Sequence, residues 1–332
     1  MNDKTGFLVE QNKKSEDIAE PRVSIIIPCK YIDNYTKQCV QHCKNLDYPD
    51  FEIIVLPDEE GEVLEGAVVI STGDVSPGRK RNIGVEKSSG ELLAFIDNDA
   101  YPRKDWLKNA VKYFNSFGVA AVGGPGVTPG EDSVMQKASG YVFSSFFVGN
   151  LNSRFKAKKS YESDDIHSCN FIVRKEVLER VGWNEKYWPG EDTLICLQIK
   201  NLGLKMLEAP DVVVYHHRKP LFIPHLRQVS RFGLHRGFFS RIFPENSRRA
   251  TYFLPSLWVL FFISGTVLSI FNQTVRVLFV VALAIYAVLA LLAALQARSL
   301  KLIPLTWLGI MATHIVYGIY FLAGLAKKEV ER

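Results

Sequence analysis

The chain has 332 residues, room for one large domain or two smaller ones, and its net charge of +5 is too modest to mark a nucleic-acid binder. Hydrophobic residues make up 47% but are unevenly spread: from about Thr251 to Ala326 charge almost vanishes. The five cysteines, Cys29, Cys39, Cys43, Cys169 and Cys196, contain no CxxC pair, which argues for reduced thiols in a cytosolic domain.

Met1 to Pro21 is polar, has no apolar stretch of the signal-peptide kind and reads as a loose, disordered tail. Val23–Ile27 is a β-rich run stopped by Pro28. Tyr35 to Asn45 has helical character. Phe51–Leu56 is a second strand ending at Pro57 and Asp58, and Ala67–Ile70 a third. Ser76 and Pro77 open a helix as N-cap and first-turn residue, closing near Gly90. Glu91–Ile96 is a strand ending in Asp97-Asn98-Asp99. Near-continuous apolar strands alternating with helices predict a mostly parallel sheet with helices on both faces. Ligands of such sheets gather beyond the carboxyl ends of the strands.

Further along, Asp105–Phe114 reads as an amphipathic helix, Val119–Gly124 as strand and turn, and Ser153–Asp165 as a polar loop. Phe171–Val173 leads into a helix over 175–180. Glu191–Leu202 is a helix closed by Gly203, and Val212–Tyr215 is a last strand ending at His216 and His217. A basic segment over 218–250 follows, with Arg218, Lys219, Arg227, Arg231, Arg236, Arg241, Arg248 and Arg249 opposed only by Glu245. Its Pro220–Phe243 part mixes Phe, Leu and Ile with Arg, as an interfacial amphipathic helix does.

Three apolar stretches, about 252–271, 277–297 and 302–325, each approach the ~20 residues that cross a bilayer core. Read as three spans with the basic segment inside, they leave Lys327, Lys328 and Arg332 outside, against the positive-inside trend; one stretch being re-entrant or interfacial is the alternative. His314, within the last stretch, reads as a neutral, hydrogen-bonded histidine at a helix contact.

Two sets of carboxylates carry the chemistry. Strand periodicity points Asp97 and Asp99 the same way, toward one hard cation, Mg²⁺ or Mn²⁺, of the kind shared with phosphate oxygens. Glu191 and Asp192, far along the sequence, open a helix whose backbone N–H groups favour the ionised carboxylate. Metal plus base is the equipment of a group-transfer enzyme.

Val23–Pro28, Phe51–Asp58, Arg81-Asn82-Ile83-Gly84, Gly90–Asp99 and Glu191-Asp192, in this order, resemble a family 2 inverting glycosyltransferase of GT-A fold over roughly 22–217, with C-terminal transmembrane helices over 251–326. The resemblance implies a nucleotide-sugar site at Pro28, Asp58, Arg81, Asn82 and Asp97: Asp58 at the base, Arg81 beside base or phosphates, Asn82 structural at its helix turn, Asp97 near ribose and diphosphate. It implies a metal held by Asp99 with Asp97 and His216 or His217, and Asp192 as general base with Glu191 as partner. It also implies a UDP- or GDP-linked donor, a lipid-linked or glycan acceptor and a multi-pass membrane protein with its catalytic domain in the cytoplasm. The sequence departs from the family at Pro57, where an acid often precedes Asp58, in Thr193-Leu194-Ile195, where an acid often follows Thr, and at Gln198, where Arg is frequent. Gln228–Phe232 is similar to the Gln-x-x-Arg-Trp element of processive polysaccharide synthases, with Phe for Trp. Such a synthase, a nucleotidyltransferase and a silent membrane scaffold are the competing readings.

Overall fold

The structure, a computed structural model, describes residues 20–60, 62–148 and 159–330. The expected loose tail lies almost wholly outside the described residues, as does the first part of the 153–165 loop. Strands and helices alternate at the start: β1 (Val23–Pro28), α1 (Asn34–Lys44), β2 (Phe51–Leu56), β3 (Val68–Val69), α2 (Pro77–Lys87), β4 (Leu92–Phe95) and β5 (Ala100–Pro102). Next come α3 (Trp106–Val111), β6 (Val119–Gly123), β7 (Gly126–Val127), α4 (Val134–Ser144), β8 (Tyr161–Glu162), β9 (Phe171–Arg174), α5 (Lys175–Val181), α6 (Glu191–Asn201), β10 (Lys205–Glu208) and β11 (Val214–His216). The C-terminal part is helical: α7 (Ile223–Ile242), α8 (Pro244–Ser247), α9 (Ala250–Phe271), α10 (Gln273–Ala294) and α11 (Leu302–Ala326).

The chain forms two compact units. One comprises residues 20–127 and 159–216, the other 128–148 and 217–330 among the described residues. The sequence reads 22–217 as one continuous domain; here α4 groups instead with the C-terminal helices.

The first unit is built on an eight-stranded sheet of order β3-β2-β1-β4-β9-β6-β10-β8. β1 pairs in parallel with β2 and β4, β2 with β3, and β6 with β10. β9 runs the other way between β4 and β6, and β8 is antiparallel to β10. The sheet is therefore mostly parallel, as the apolar runs suggest, with β9 and β8 reversed within it. β9 is apolar along its length, as buried strands of either direction are, so its sequence does not encode its direction. Both faces are covered: Ile25, Ile27, Val55 and Ala94 pack on one side with Trp106 and Phe114, and Ile26, Ile54, Leu93 and Phe95 on the other with Phe171 and Trp183. Asp33 and Thr36 form a reciprocal capping box on α1, and Ser76 caps α2 as its sequence predicts. The expected 105–114 helix tightens after Val111 into a single 3₁₀ turn.

A three-stranded sheet of order β5-β11-β7 stands beside the main one in the fold. Its antiparallel register pairs Val214 with Pro102, Tyr215 with Tyr101 and His216 with Ala100.

In the second unit α9, α10 and α11 are long and apolar enough to cross a membrane by length and composition. His314 Nε2 faces the Phe147 carbonyl at 2.8 Å and Nδ1 the Tyr286 hydroxyl at 2.9 Å, so one neutral tautomer satisfies both bonds.

All five cysteines are free and buried. Burial pushes the Cys29 thiol up to about 11, against the pull of Lys80, and thiol reactivity follows the thiolate. A colorimetric disulfide reagent near neutral pH should therefore find almost no reactive thiol in the folded chain and all five after denaturant. Rapid labelling of Cys29 in the native state would contradict this burial.

Candidate active site

The site grows from the carboxyl end of β4. After Phe95 the chain turns, with the Ala100 amide donating to the Asp97 carbonyl at 3.0 Å, and enters β5. Within this turn Asn98 is held aside by its amide donating to Thr36 Oγ1 at 3.1 Å. The β5–β11 register then sets His216 opposite Ala100, next to Asp99. The His216 Nε2 lies 3.2 Å from Asp99 Oδ1. One ligand atom each from Asp97, Asp99 and His216 falls within 4.8 Å of the others. Two carboxylates and an imidazole, all partly exposed, form a donor set suited to a hard divalent cation. His217 belongs elsewhere: its Nδ1 lies 2.5 Å from Asp132 Oδ1 in the second unit.

Arg81 joins the two acidic sets. Its guanidinium donates to Glu191 Oε1 at 2.7 Å, to Ser168 Oγ at 3.0 Å and to Asp97 Oδ1 at 3.4 Å, and its Cζ lies 4.9 Å from the centre of the Trp183 ring. The side chains of Arg81 and Glu191 are only 4% and 5% exposed. Burial works against the charge on Arg81, but Glu191 and Asp97 outweigh it and raise its pKa above the ordinary arginine value. Burial raises the pKa of Asp97 and of Glu191, with Arg81 opposing both shifts.

α6 begins at Gly190, whose φ of +122° lies where glycine is favoured. The turn places Glu191 and Asp192 at the helix start: Glu191 faces inward to Arg81, and Asp192 is 22% exposed. Asp192 Oδ2 lies 3.4 Å from His167 Nδ1, while its Oδ1 accepts the Thr193 amide at 2.8 Å. His167 and Ser168 escape a reading by sequence because they follow a polar loop with no periodicity; only the fold brings them beside α6.

At the ends of β1 and β2 a cleft of about 300 Å³ is lined by Lys30, Tyr31, Ile32, Pro57, Asp58 and Glu62. Asp58 is fixed there by Lys80, whose ammonium donates to Asp58 Oδ1 at 2.5 Å, to the Cys29 carbonyl at 2.8 Å and to the Leu56 carbonyl at 3.2 Å. Lys80 thus ties together the strand ends beside Pro28 and Asp58. Its role is invisible in the sequence, where it is one of several basic residues in α2. Asn82 turns to the loop before α6 instead: its amide donates to the Trp183 carbonyl at 3.0 Å and to Glu185 at 2.8 Å, and its oxygen accepts the Trp183 amide at 2.8 Å. Trp183 is buried against Phe95 and Phe171, whereas Trp188 is 38% exposed.

Comparison with known proteins bears on this geometry. The model of glycosyl transferase family 2 matches residues 24–182. "Glycosyltransferase AglE" of Haloferax volcanii is 27% identical over 218 residues, covering 60% of this chain and 68% of that protein. A Campylobacter jejuni GalNAc(5)-diNAcBac-PP-undecaprenol beta-1,3-glucosyltransferase is 24% identical over 52% of this chain; the match spans 58% of that relative's length. A Methanococcus voltae enzyme named for glycosyl transfer to dolichyl N-acetyl-glucosaminyl phosphate is 22% identical over 66% of this chain and 74% of its own. Among solved structures, the mannosyltransferase PcManGT of Pyrobaculum calidifontis, in complex with GDP-Man and Mn²⁺, superposes with a TM-score of 0.58 at 18% identity, covering 98% of this chain and 95% of its own. The fold is GT-A, and residues 24–182 form a glycosyl transferase family 2 domain.

Replacing Arg81 by Leu strands Glu191 and Asp97, so chemical denaturation of the detergent-solubilised chain should show a loss of about 3–5 kcal/mol. Arg81→Lys should recover only part of it, because an ammonium cannot span the same fork. A stability unchanged in Arg81→Leu would mean that this pair does not hold the site.

Proposed function

We propose that the chain moves a sugar from a nucleotide-linked donor to a lipid-linked acceptor at a membrane face, in a single displacement that inverts the anomeric centre. The observation that carries this reading is the convergence of Asp97, Asp99 and His216 on one point, with Glu191 and Asp192 brought to the same region by Arg81. Mn²⁺ or Mg²⁺ is the cation this donor set fits. When bound it neutralises the charge that develops on the departing diphosphate. Asp99, His216 and Asp97 are the residues that would hold it. The cleft at Asp58 and Tyr31 takes the base of a UDP- or GDP-linked donor, with Lys80 keeping Asp58 in place.

Asp192 is the partly exposed acid at the start of a helix, and it takes the proton of an acceptor hydroxyl. His167, beside it and half exposed, steadies its orientation. Glu191, turned inward, does not reach an acceptor; it positions Arg81. Where the acceptor is an ionised lipid phosphate, Asp192 orients it instead of deprotonating it. The relatives named for undecaprenol- and dolichyl-linked substrates support a lipid-linked acceptor. The apolar helices and the basic segment before them support a membrane location, with the catalytic unit on the cytoplasmic side.

A screen of nucleotide sugars with membranes and extracted lipids tests the reading. Chelation of divalent cations should abolish transfer and added Mn²⁺ or Mg²⁺ restore it. Asp99→Ala should lose nearly all transfer, and Asp192→Asn should lower turnover about 10²–10⁴-fold with donor affinity little changed. A product that keeps the donor's anomeric configuration would rule out the single displacement.

A further inference from the structure

The three apolar helices of the second unit are not arranged as three parallel spans. α9 and α10 form a hairpin about Asn272. The Cβ of a residue at 265 would meet the Phe279 ring, and Trp258 stacks on Tyr286 at 4.0 Å. Each of these pairs is equally far from Asn272 along its two arms. The Trp258–Tyr286 level therefore stands fourteen residues, or about 21 Å, from the tip.

Among the described residues, the following contacts between α11 and this hairpin fall at one level. From its start toward its end, Trp307 Nε1 donates to the Ala287 carbonyl, Ile310 shares a buried apolar cluster with Ala290 and Ala294, and His314 bonds Tyr286. Gly318 lies against Pro255 and Val259, and Phe321 against Phe253. Along fourteen residues of α11, about 21 Å, the partners stay between thirteen and twenty-two residues from the tip, with no progression. A third span would slide steadily along its neighbours. α11 crosses the hairpin instead.

α7 is bound to α11 in parallel. Leu221 meets Gly309, His225 Nε2 lies 2.9 Å from Thr313 Oγ1, and the Arg241 guanidinium donates to the Lys327 carbonyl. Between these ends the backbones touch. A Cβ at 233 would lie 2.8 Å from the Tyr317 carbonyl oxygen, one at 237 2.1 Å from that of Phe321, and one at 324 2.1 Å from that of Leu234. The offset between partners stays near 84–90 residues throughout, so the two helices share one direction. α7 carries Arg227, Arg231, Arg236 and Arg241. If α11 spanned a bilayer, α7 would be drawn in beside it, at a cost of at least ~2.5–3.5 kcal/mol for each arginine near the centre.

The geometry points to a different embedding, which rests on the membrane location proposed above: the α9–α10 hairpin alone crosses the bilayer, while α7 and α11 lie together in its plane at one headgroup boundary. The occupant of this surface is a lipid bilayer with anionic headgroups. Beyond the crossing level the hairpin shows lipid its exposed Leu260, Ile263, Leu268, Phe271, Val277 and Leu278. In-plane helices sink ~5–10 Å below the headgroups. With the ~21 Å of hairpin beyond them, this matches a ~30 Å hydrocarbon core and sets Asn272, Gln273 and Arg276 at the far boundary. Arg298, Lys301, Lys327 and Lys328 then share one side with the α7 arginines, and the conflict with the positive-inside trend disappears.

The test uses the full chain in sealed membrane vesicles of both orientations, with single substitutions Leu300→Cys, Lys328→Cys and Gln273→Cys and a membrane-impermeant maleimide. The unsubstituted chain, its own cysteines buried, is the blank. Expected are labelling of Leu300→Cys and Lys328→Cys in the same orientation and of Gln273→Cys in the opposite one. Labelling of Leu300→Cys and Lys328→Cys from opposite faces would restore three spans and overturn the proposal, as would labelling of Gln273→Cys from the shared face. Trypsin access to Lys301 and Lys327 in the unsubstituted chain asks the same question without depending on any variant. Release of the chain from membranes by alkaline carbonate would instead sink the membrane location itself. Sugar transfer plays no part in these readouts.

Discussion

A guanidinium sealed from water has to be surrounded by its own counter-charges, and Arg81 meets that requirement by reaching across the sheet edge. Glu191 comes from the start of α6, Asp97 from the end of β4 and Ser168 from the turn before β9, so one cation fixes three separate segments. The two carboxylates have different standing as a result. Glu191 is spent on Arg81, which leaves Asp192, one residue on, as the acid that faces outward. Adjacent acids thus have opposite surroundings, one buried against Arg81 and the other partly open to solvent.

Lys80 does on a smaller scale what Arg81 does across the site. One residue earlier on α2, it gathers two backbone carbonyls and Asp58 at the ends of β1 and β2. Asn82, one residue later, binds the Trp183 backbone. Three consecutive side chains of one helix thus point to three different parts of the sheet edge. The register of α2 against the sheet is the frame on which the cleft and the acidic cluster both hang.

Much of this was legible in the sequence where local periodicity governs. Asp97 and Asp99 are legible as acids that end an apolar strand, although a turn and not strand alternation brings them together, and the start of α2 is legible in Ser76-Pro77. The strand–helix alternation up to Asp99 reads directly from apolar runs. What sequence could not supply was pairing between distant segments. The reversal of β9 leaves no trace in an apolar run. Which of His216 and His217 stands beside Asp99 is set by a three-residue ladder with β5. His167, Ser168 and Lys80 act through contacts to residues far away in the chain. Hydropathy likewise counted three apolar helices correctly by length but carried no information on the close packing of α7 against α11, which depends on backbone contacts at Gly233, Gly237 and Gly324.

The ladder between β5 and β11 has a consequence of its own. Asp97 and Asp99 stand at the end of β4 and the entry to β5, while His216 stands on β11, joined to them by only a few backbone bonds. Any ion gripped by all three side chains would also staple that small ladder. Binding and local order at this corner are then thermodynamically linked: occupancy stiffens the strands, and fraying of the strands loosens the grip. A short sheet at the rim can in this way act as a clasp that closes around its own cargo.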